Sequence, residues 1–392
     1  MMEIKLPELD CTGCGSCMQT CKVGAITMQP QNDGFVYPVI DPDKCVRCGQ
    51  CMKSCHALGD NCWNQPMACY AAQVSDKDVL KISTSGGLFS VLAGNIFKDN
   101  GVVYGCVFDE HCNAVIVRAV SLEQITPMHG SKYVWSDPSA SYPMVKKDLE
   151  AGRKVLYTCL PCQAAGLRKY LREQNENLYL VDTLCLGAPS PYAFERYLET
   201  LTDEEGKRNL QFRFRDKERF GSGVDCTYVL DGKKHYETRL ENGFYYAFSA
   251  KVRLSWRKCC YRCNYKSIQR VSDLTIGDYW GVENHHSAFD PRDGVSVVLV
   301  NTESGQRLFE QAKENLHYEK SNVLYATERN SLVTEVEKGH VSMPENRDAF
   351  FSTLRSGGWK KADRRYLKDR QILRLKIFLF RVFRKLQRVV KR

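Results

Sequence analysis

The chain opens with the run Cys11-Thr-Gly-Cys14-Gly-Ser-Cys17-Met-Gln-Thr-Cys21, which recurs as Cys45-Val-Arg-Cys48-Gly-Gln-Cys51-Met-Lys-Ser-Cys55. The spacing C-x2-C-x2-C-x3-C lets three thiolates converge on one cubane iron–sulfur cluster, while the fourth cysteine ligates the other cluster. Zinc knuckles are the alternative, but each run carries one cysteine more than tetrahedral zinc loops use. The repeat therefore predicts a bacterial two-cluster ferredoxin domain over residues 1–66.

The crossing of the fourth cysteines divides the eight ligands between two [4Fe–4S] clusters. One cluster is expected at Cys11, Cys14, Cys17 and Cys55, and the other at Cys21, Cys45, Cys48 and Cys51. The proline that usually follows each fourth cysteine is replaced by Lys22 and His56, which removes no ligand. Between the runs, residues 25–28 and 35–40 are predicted to form strands around the turn 31–34.

The composition is that of a folded protein with many candidate metal ligands. Hydrophobic residues make up 43% of the 392 positions and charged residues 26%, close to the averages of soluble domains. The 19 cysteines follow a charged N-terminal stretch that lacks the apolar core of a signal peptide. Since thiols stay reduced in the cytoplasm, we expect a cytoplasmic protein whose cysteines bind metal rather than form disulfides.

The positive charge is concentrated at the C-terminus. Residues 360–392 hold 14 Lys and Arg against two Asp, a net +12 in a chain of net +10, which leaves −2 for the rest. Nucleic-acid binding is therefore not expected. Apolar residues recur along this segment at helical spacing, which predicts an amphipathic basic helix. Such a helix suits peripheral attachment to the inner face of the cell membrane, docking to a partner protein, or coverage of the chain's own core.

After residue 66, segments with the periodicity of strands alternate with longer segments that have the periodicity of helices. This pattern predicts an α/β or α+β body. Its N-terminal part is expected over residues 67–150 and its C-terminal part over 151–320, with a helical tail over 321–392 that is basic from about residue 360. Predicted helices span 86–100, 163–173 and 304–315. Predicted strands span 102–108, 115–120, 154–158, 178–183, 211–215, 226–230 and 295–300.

A second set of cysteines lies in the body, in Cys159-Leu-Pro-Cys162, Cys185-Leu-Gly and Cys259-Cys260-Tyr-Arg-Cys263, with Cys226 between them. The residues alone leave four interpretations open: an oxidisable thiol pair, a four-cysteine zinc site, another [4Fe–4S] cluster, or buried structural cysteines. Spacing does not separate these interpretations.

Six motifs of the body are distinctive: Ser83-Thr-Ser-Gly-Gly87, Lys132-Tyr133, Val155-Leu-Tyr-Thr-Cys-Leu-Pro-Cys-Gln163, Gly166-Leu-Arg-Lys-Tyr170, Cys185-Leu-Gly-Ala-Pro-Ser190 and Asp273-Leu-Thr-Ile-Gly-Asp-Tyr-Trp-Gly281. Together with the cysteine repeat, they resemble the coenzyme F420 hydrogenase/dehydrogenase β-subunit family, which includes plant 7-hydroxymethyl chlorophyll a reductase. The resemblance extends to about Asn301.

In that family the body binds FAD beside an additional [4Fe–4S] cluster, and the flavin exchanges hydride with an organic substrate. Matched motif to motif, the resemblance implies Cys162, Cys185, Cys260 and Cys263 as ligands of this cluster, with Cys159 and Cys259 as competitors. The family's Gly-Thr-Pro-Cys-Gln reads Cys159-Leu160-Pro161-Cys162-Gln163 here, and its Cys-His-Gly reads Cys185-Leu186-Gly187. We therefore expect the substrate side to differ from the type enzymes, and the use of coenzyme F420 is left open.

The segment Ser83 to Gly87 precedes a predicted helix and combines hydroxyls, glycines and free amides, as a phosphate site requires. Without the resemblance, an ordinary helix cap explains the same residues. The resemblance implies that Ser85, Gly86 and Gly87 lie near the FAD pyrophosphate, with Lys132 as a charge partner.

The remaining candidates have weaker signals. The segment Asp278-Tyr-Trp-Gly281 is expected either beside the flavin or the extra cluster, or in the core. His129, His285 and His286 could donate protons to a substrate, although loop histidines mostly lie at the surface, so no catalytic acid is assigned.

The expected function is that of an iron–sulfur FAD oxidoreductase. A low-potential partner such as a ferredoxin would load the N-terminal clusters, and electrons would pass through the extra cluster to FAD and on to a small organic substrate or a deazaflavin. The alternative is a non-enzymatic subunit that relays electrons to a separate catalytic partner. A redox sensor or scaffold is a third interpretation.

Overall fold

A computed structural model describes residues 3–203, 205–206, 210–218, 221–223, 225–237, 253–330 and 340–366. The predicted basic helix therefore lies largely outside the described residues, which end at Tyr366. The start of that segment belongs to a helix whose Ala362 is buried against the body. Among the described residues, every helix is too short or too polar to span a lipid bilayer.

The two cysteine runs fold into a small N-terminal unit with the elements α1 (Ser16–Thr20), β1 (Ile26–Pro30), β2 (Val36–Ile40) and α2 (Gln50–Lys53). β1 and β2 pair antiparallel with Ile26 opposite Ile40, so the predicted strand pair is confirmed. Each short helix follows a glycine of positive φ, Gly15 at 71° and Gly49 at 72°. Glycine adopts this left-handed conformation without strain, which lets the chain turn between the second and third cysteines of each run.

This unit packs tightly against the body. Asp33 forms a buried ion pair of 2.8 Å with Arg347, and the Ser190 hydroxyl donates to the Asp33 carbonyl oxygen at 2.6 Å. A Cβ added at Gly34 would come within 2.2 Å of the Tyr192 Cβ. The close approach leaves no room for a side chain, so the two parts are fitted to one another.

The body contains helices on a large sheet. Its strands are β3 (Ala68–Val74), β4 (Val102–Phe108), β5 (Ala114–Ala119), β6 (Val155–Cys159), β7 (Leu178–Thr183), β8 (Gln211–Arg213), β9 (Cys226–Leu230), β10 (Lys233–Glu237), β11 (Leu274–Asp278), β12 (Ser296–Val300) and β13 (Leu316–Ser321). Its helices are α3 (Lys77–Ile82), α4 (Leu88–Lys98), α5 (Ser141–Glu150), α6 (Pro161–Leu171), α7 (Pro191–Leu198), α8 (Glu303–Ala312), α9 (Val323–Glu328) and α10 (Arg347–Tyr366), which is broken at Gly358.

Eight strands form one mixed sheet in the order β13-β3-β12-β11-β7-β6-β4-β5. β4, β6, β7 and β11 are parallel, and the outer strands pair antiparallel. α4 and α8 cover one face of the parallel strands, and α5 and α6 cover the other. Strands from 67–150 and from 151–320 share this sheet, while β8 to β10 form a separate three-stranded sheet.

The parallel strands place the second cysteine set at one edge. β6 leads into the loop before Cys162, β7 ends shortly before Cys185, and β11 ends two residues before Trp280. Parallel strands present their carboxyl ends at the same edge, which is where open α/β sheets bind ligands. The fold thus brings together segments that are about 100 residues apart in sequence.

Candidate cysteine centres and the adjoining cavity

Four cysteines of the N-terminal unit, Cys11, Cys14, Cys17 and Cys55, form what we term the proximal group. Cys14 and Cys17 each lie near enough to Cys11 and Cys55 for their charges to interact. Burial raises the pKa of the Cys14 thiol to about 12. A thiol in such surroundings becomes a thiolate when a positive centre such as iron compensates the charge. The fourth cysteine of the second run therefore joins the first three of the first run.

The other four, Cys21, Cys45, Cys48 and Cys51, form the distal group. Cys51 interacts with Cys45 and Cys48, and Cys21 packs in the same small core as Cys51. Cys48 is exposed, whereas Cys51 is buried. The distal group therefore reaches the protein surface.

The body group consists of Cys162, Cys185, Cys260 and Cys263. The charge of Cys162 interacts with those of the other three, and Cys185 interacts with Cys260 and Cys263. These are the four cysteines that the resemblance implies. Within the described residues, no three Cys, His, Asp or Glu side chains meet around a single metal ion. The four thiolates of a cubane stand at its corners, farther apart than ligands of one ion.

Local contacts hold the three cysteine segments in place. The Leu160 N–H donates to the Gln163 Oε1 at 2.9 Å, which fixes the first turn of α6 around Cys162. A Cβ at Gly187 would approach the Trp256 ring to 2.5 Å, so the segment after Cys185 lies flat on that indole. The next residue, Ala188, donates its N–H to the Cys260 Sγ at 3.4 Å.

The two competing cysteines occupy different surroundings. Cys159 lies near the charges of Asp182, Arg168 and Arg270. Cys259 is buried next to Cys260 and near the charge of Arg257. The thiols that act most strongly on Cys185 are Cys260 and Cys263 rather than either competitor. The surroundings therefore favour the four cysteines of the body group as one set.

A buried cation lies against the body group. Lys266 is 4% exposed. Burial raises the pKa of Cys185 and Cys263, and the charge of Lys266 acts in the opposite direction on both. A buried ammonium requires negative charge nearby. Thiolates that ligate a cluster supply such charge, so the donor set fits an iron–sulfur centre.

The proximal group contacts the body group through α6. A Cβ at Gly166 would come within 2.8 Å of the Cys14 Cβ, and Cys162 lies one helical turn before this glycine. Tyr265 lies among thiols of both groups, and its hydroxyl is 2.7 Å from the His56 Nδ1. His56, which replaces the usual proline, is thus part of the junction.

A cavity of about 470 Å³ adjoins the body group. Cys185 lies on its wall, as do Gly87, Leu88 and Phe89. Gly87 directly precedes α4, and Leu88 and Phe89 begin this helix, whose first N–H groups have no partner within the helix. The cavity therefore has a cysteine of the body group and a helix N-terminus on its wall, and the latter is a general site for anions.

Comparison with known families identifies two parts of the chain. Residues 10–57 match the 4Fe-4S dicluster domain, and residues 152–323 match the C-terminal domain of the coenzyme F420 hydrogenase/dehydrogenase β-subunit. The part of the chain over residues 152–323 is therefore similar to the C-terminal domain of that family. The predicted family is confirmed, as is the predicted fold class of a ferredoxin-type unit joined to a mixed α/β body.

Other comparisons add less. No curated protein matches the chain. One similar solved structure is a chain in the xenon-derivatised F420-reducing [NiFe] hydrogenase complex from Methanosarcina barkeri, with 15% identity over 75% of this chain and 94% of that chain, and a TM-score of 0.45. No residue assignment rests on that likeness.

The residues that the family resemblance links to FAD lie in one region, but some of their polar groups are already engaged. Ser85 and Gly87 line the cavity. The Ser85 hydroxyl donates to the Val295 carbonyl oxygen at 2.8 Å, and the Gly86 N–H donates to the Ser296 hydroxyl at 2.9 Å. The Gly86 amide is therefore engaged by β12, while the position of Gly86 near a pyrophosphate stays a prediction.

Lys132 also lines the cavity. Its ammonium donates to the carbonyl oxygens of Pro127, His129 and Gly130 at 2.8–3.1 Å. Burial lowers the pKa of Lys132 to about 8. The lysine thus organises the loop before it and presents a cation whose charge is sensitive to pH near neutrality.

The segment Asp278 to Gly281 lies at the cavity, where Asp278 and Trp280 form part of the wall. Asp278 pairs with the buried Arg215, whose guanidinium lies 5.3 Å from the centre of the Trp280 ring and donates to the Tyr133 hydroxyl at 3.3 Å. This ion pair and the two rings make a rigid polar wall.

Of the three histidines considered, His129 alone lines the cavity. Its Nδ1 donates to the Thr126 carbonyl oxygen at 3.0 Å, so its Nε2 accepts from the Ser90 hydroxyl at 2.7 Å. Burial lowers the pKa of His129, which favours this neutral form. His285 and His286 each hydrogen-bond to a glutamate instead.

Sequence reasoning missed the basic and aromatic residues that surround the centres, including Arg215, Arg257, Tyr265 and Lys266. Arg257 and Lys266 flank the Cys259 to Cys263 segment, which is a signal that could have been used, since buried cations accompany anionic clusters. Arg215 carries no such signal, because it reaches the site only through the fold.

Proposed function

We propose that the chain is an FAD-dependent iron–sulfur oxidoreductase. Electrons from a low-potential carrier protein reach the distal group, pass to the proximal and body groups, and are used in the cavity for hydride exchange with an organic substrate. The observation that carries the proposal is the double position of Cys185, which belongs to the body group and to the cavity wall. An electron acceptor in the cavity would therefore lie beside the body centre.

The order of the groups supports a relay between a carrier protein and the cavity. The distal group has the exposed Cys48, and Val46 beside it is 65% exposed, so a carrier protein can approach. The proximal group is next to the body group through the contact of Cys14 with Gly166. The centres thus form a sequence from the surface to the cavity, which is the arrangement that an electron relay needs.

The cavity has the features that a flavin requires. The first amides of α4 would bind a pyrophosphate, and the charge of Lys132 would attract it. The apolar side chains of Met128, Val181 and Ile276 would contact a ring system. When bound, FAD converts one-electron transfers into two-electron hydride chemistry. The chain itself supplies the binding surface, the neutral His129 and the fixed ion pair of Arg215.

Two residues of the cavity wall differ from the family pattern, which favours a substrate different from that of the type enzymes. Leu160 and Leu186 stand where the family pattern has threonine and histidine, and both line the cavity. Together they replace a hydroxyl and an imidazole by apolar surface beside Cys185. Coenzyme F420, which gives the family its name, remains one candidate deazaflavin among organic hydride acceptors.

Cofactor analysis of anaerobically purified protein tests the proposal. We expect about 12 irons and about one FAD per chain, since three cubanes hold four irons each. A Cys185→Ser variant should retain about 8 irons, because it alters the body group alone. A matched Cys69→Ser variant, at a buried cysteine of β3, should keep all of the iron. Wild-type protein with about 8 irons and no flavin would contradict the proposal.

A relay without catalysis is a second candidate, because the family is named for a subunit of a larger enzyme. In that case the isolated chain would accept electrons but exchange no hydride, and a partner would complete the reaction. Incubation of the reduced protein with flavin and deazaflavin acceptors distinguishes the two. Oxidation of the clusters together with formation of a reduced acceptor supports the enzyme, whereas clusters that stay reduced support the relay.

A further inference from the structure

We propose that Arg257 is a positioning residue that donates a hydrogen bond to a sulfur of the proximal cluster and raises the reduction potential of that cluster above the distal one. This inference rests on the proposed ligand set Cys11, Cys14, Cys17 and Cys55. It assigns a role to a body residue that the proposed function does not use.

Arg257 is held at the boundary between the body and the N-terminal unit. It is 1% exposed. Its Nε donates to the Cys11 carbonyl oxygen at 2.7 Å, and its Nη2 donates to the Val36 carbonyl oxygen at 2.8 Å. The same Nη2 lies 3.7 Å from the Cys11 Sγ. The guanidinium is therefore fixed beside a proximal ligand.

The third nitrogen of this guanidinium lacks an acceptor. Nη1 of Arg257 is buried and has no hydrogen-bond partner among the described residues. A Cβ at Gly13 would come within 2.8 Å of Nη1, so this nitrogen faces the loop between Cys11 and Cys14. An unsatisfied N–H of a buried charged group is costly. A cluster sulfur held by that loop would satisfy it.

The other directions around the guanidinium are closed by rings. Its central carbon lies 5.1 Å from the Phe35 ring centre, 4.3 Å from that of Tyr37 and 5.4 Å from that of Trp135. Ring faces attract a cation, but they do not take the place of a hydrogen-bond acceptor in the plane of the guanidinium. The loop side is therefore where the missing acceptor belongs.

The charge of Arg257 has a defined effect on a cluster beside it. Reduction adds one electron and hence one negative charge, so a nearby cation stabilises the reduced state more than the oxidised state. Hydrogen bonds to the sulfurs act in the same direction. At the distal group, Lys44 and Arg47 are exposed to solvent, which weakens their effect. The distal cluster is oxidised and the proximal cluster reduced when one electron moves inward.

Redox titration of the full chain, followed by electron paramagnetic resonance, tests the inference. In Arg257→Gln the proximal potential should fall by at least about 59 mV, which is a tenfold change in a one-electron equilibrium. The distal potential should not change. Arg257→Lys should give a smaller fall, because it keeps the charge but loses the planar fork.

Arg347→Gln is the matched control. Arg347 is also a buried arginine at this boundary, but it binds Asp33 and the Trp256 carbonyl oxygen rather than a cysteine. Its loss should leave both potentials unchanged. If Arg257→Gln retains its N-terminal iron and its proximal potential equals that of the wild type, the inference is wrong and the proposed function is unaffected. Wild-type protein without N-terminal clusters would instead overturn the proposed function.

A second measurement tests the inference if Arg257→Gln does not assemble its N-terminal clusters. Wild-type protein with ¹⁵N-labelled arginine should show hyperfine coupling between a nitrogen and the reduced proximal cluster in pulsed spectra. Arg347→Gln should retain this coupling. Its absence from wild-type protein with reduced clusters would show that the Nη1 proton is donated to water or to no acceptor, which overturns the inference.

Discussion

The N-terminal unit and the body assemble their cysteines in two different ways. The unit takes eight ligands from residues 11–55, in two short turns with the same spacing. The body group takes its four from three segments between Cys162 and Cys263, which meet only because parallel strands end at one edge. The first arrangement depends on local turns, whereas the second depends on the whole sheet.

The two regions also differ in exposure. The distal group reaches the surface at Cys48, while the cysteines of the body group are buried or half-buried beside Trp256, Lys266 and the first turn of α6. Exposure suits exchange with a carrier protein, and enclosure suits a centre next to a reaction that must exclude water. This difference fits a unit that receives electrons and a body that uses them.

The largest effect should be the loss of iron after substitution of a single cysteine ligand in each region. Cys55→Ser should remove more iron than Cys260→Ser, because Cys55 belongs to the second run but serves the cluster of the first. We expect the former to lose more than about four irons, because the weakened unit also loses iron from its second cluster, and the latter to lose about four with the unit intact. Iron and sulfide analysis of anaerobic protein measures both.

Cys62→Ser is the control for these variants. Cys62 is exposed and belongs to neither arrangement, so iron content and absorbance should match the wild type. Loss of all iron from Cys260→Ser would contradict the separation of the two regions. It would mean that the N-terminal clusters depend on the body.

Sequence spacing could predict the N-terminal unit because its chemistry is local. The strand pair was predicted from the segment between the two runs, and the division of the ligands follows from their common spacing and stays a prediction. In the body, β4 and β7 were predicted with their observed bounds, since buried parallel strands are continuous apolar runs. β13 was missed because this edge strand, Leu316–Ser321, is mostly polar.

The surroundings of the site could not be predicted from residue pattern. α5 was missed, although its Pro143 lies in the first turn, where a helix tolerates the lost N–H. The pairing of Arg215 with Asp278 joins residues 63 positions apart, and no periodicity encodes it. Resemblance named the four body cysteines, but the cations beside them emerged only from the packing.

The contact between the N-terminal unit and the body depends on the absence of a side chain at Gly166. Gly166→Ala should lower the free energy of unfolding by about 1–3 kcal/mol, because the added Cβ would overlap the Cys14 Cβ and Sγ. Chemical denaturation of the anaerobic protein measures this change. Gly94→Ala, in helix α4, should instead raise stability by about 0.5–1 kcal/mol, since its nearest atom is 3.9 Å away. Equal effects in both variants would contradict the tight contact.

The smallest effect should be a pH dependence of flavin binding in the body, which the N-terminal unit does not share. Burial lowers the pKa of Lys132 to about 8, so its charge is present below that pH and is lost above it. If this cation holds the FAD pyrophosphate, flavin affinity should fall by up to about tenfold per unit as pH rises above about 8. Iron content of the N-terminal unit should not change over the same range. Release of flavin on gel filtration at each pH measures the effect.

Lys132→Gln separates the charge from other effects of pH. The variant keeps a hydrogen-bond donor for the carbonyl oxygens of Pro127 and Gly130 but carries no charge at any pH. Its flavin affinity should be weaker than that of the wild type at about pH 7 and should vary little with pH. If wild type and variant lose flavin in parallel as pH rises, Lys132 is a structural residue of the loop. In that case another cation of the cavity wall must attract the pyrophosphate. Among the described residues that line the cavity, the other arginines and lysines are Arg215 and Arg329.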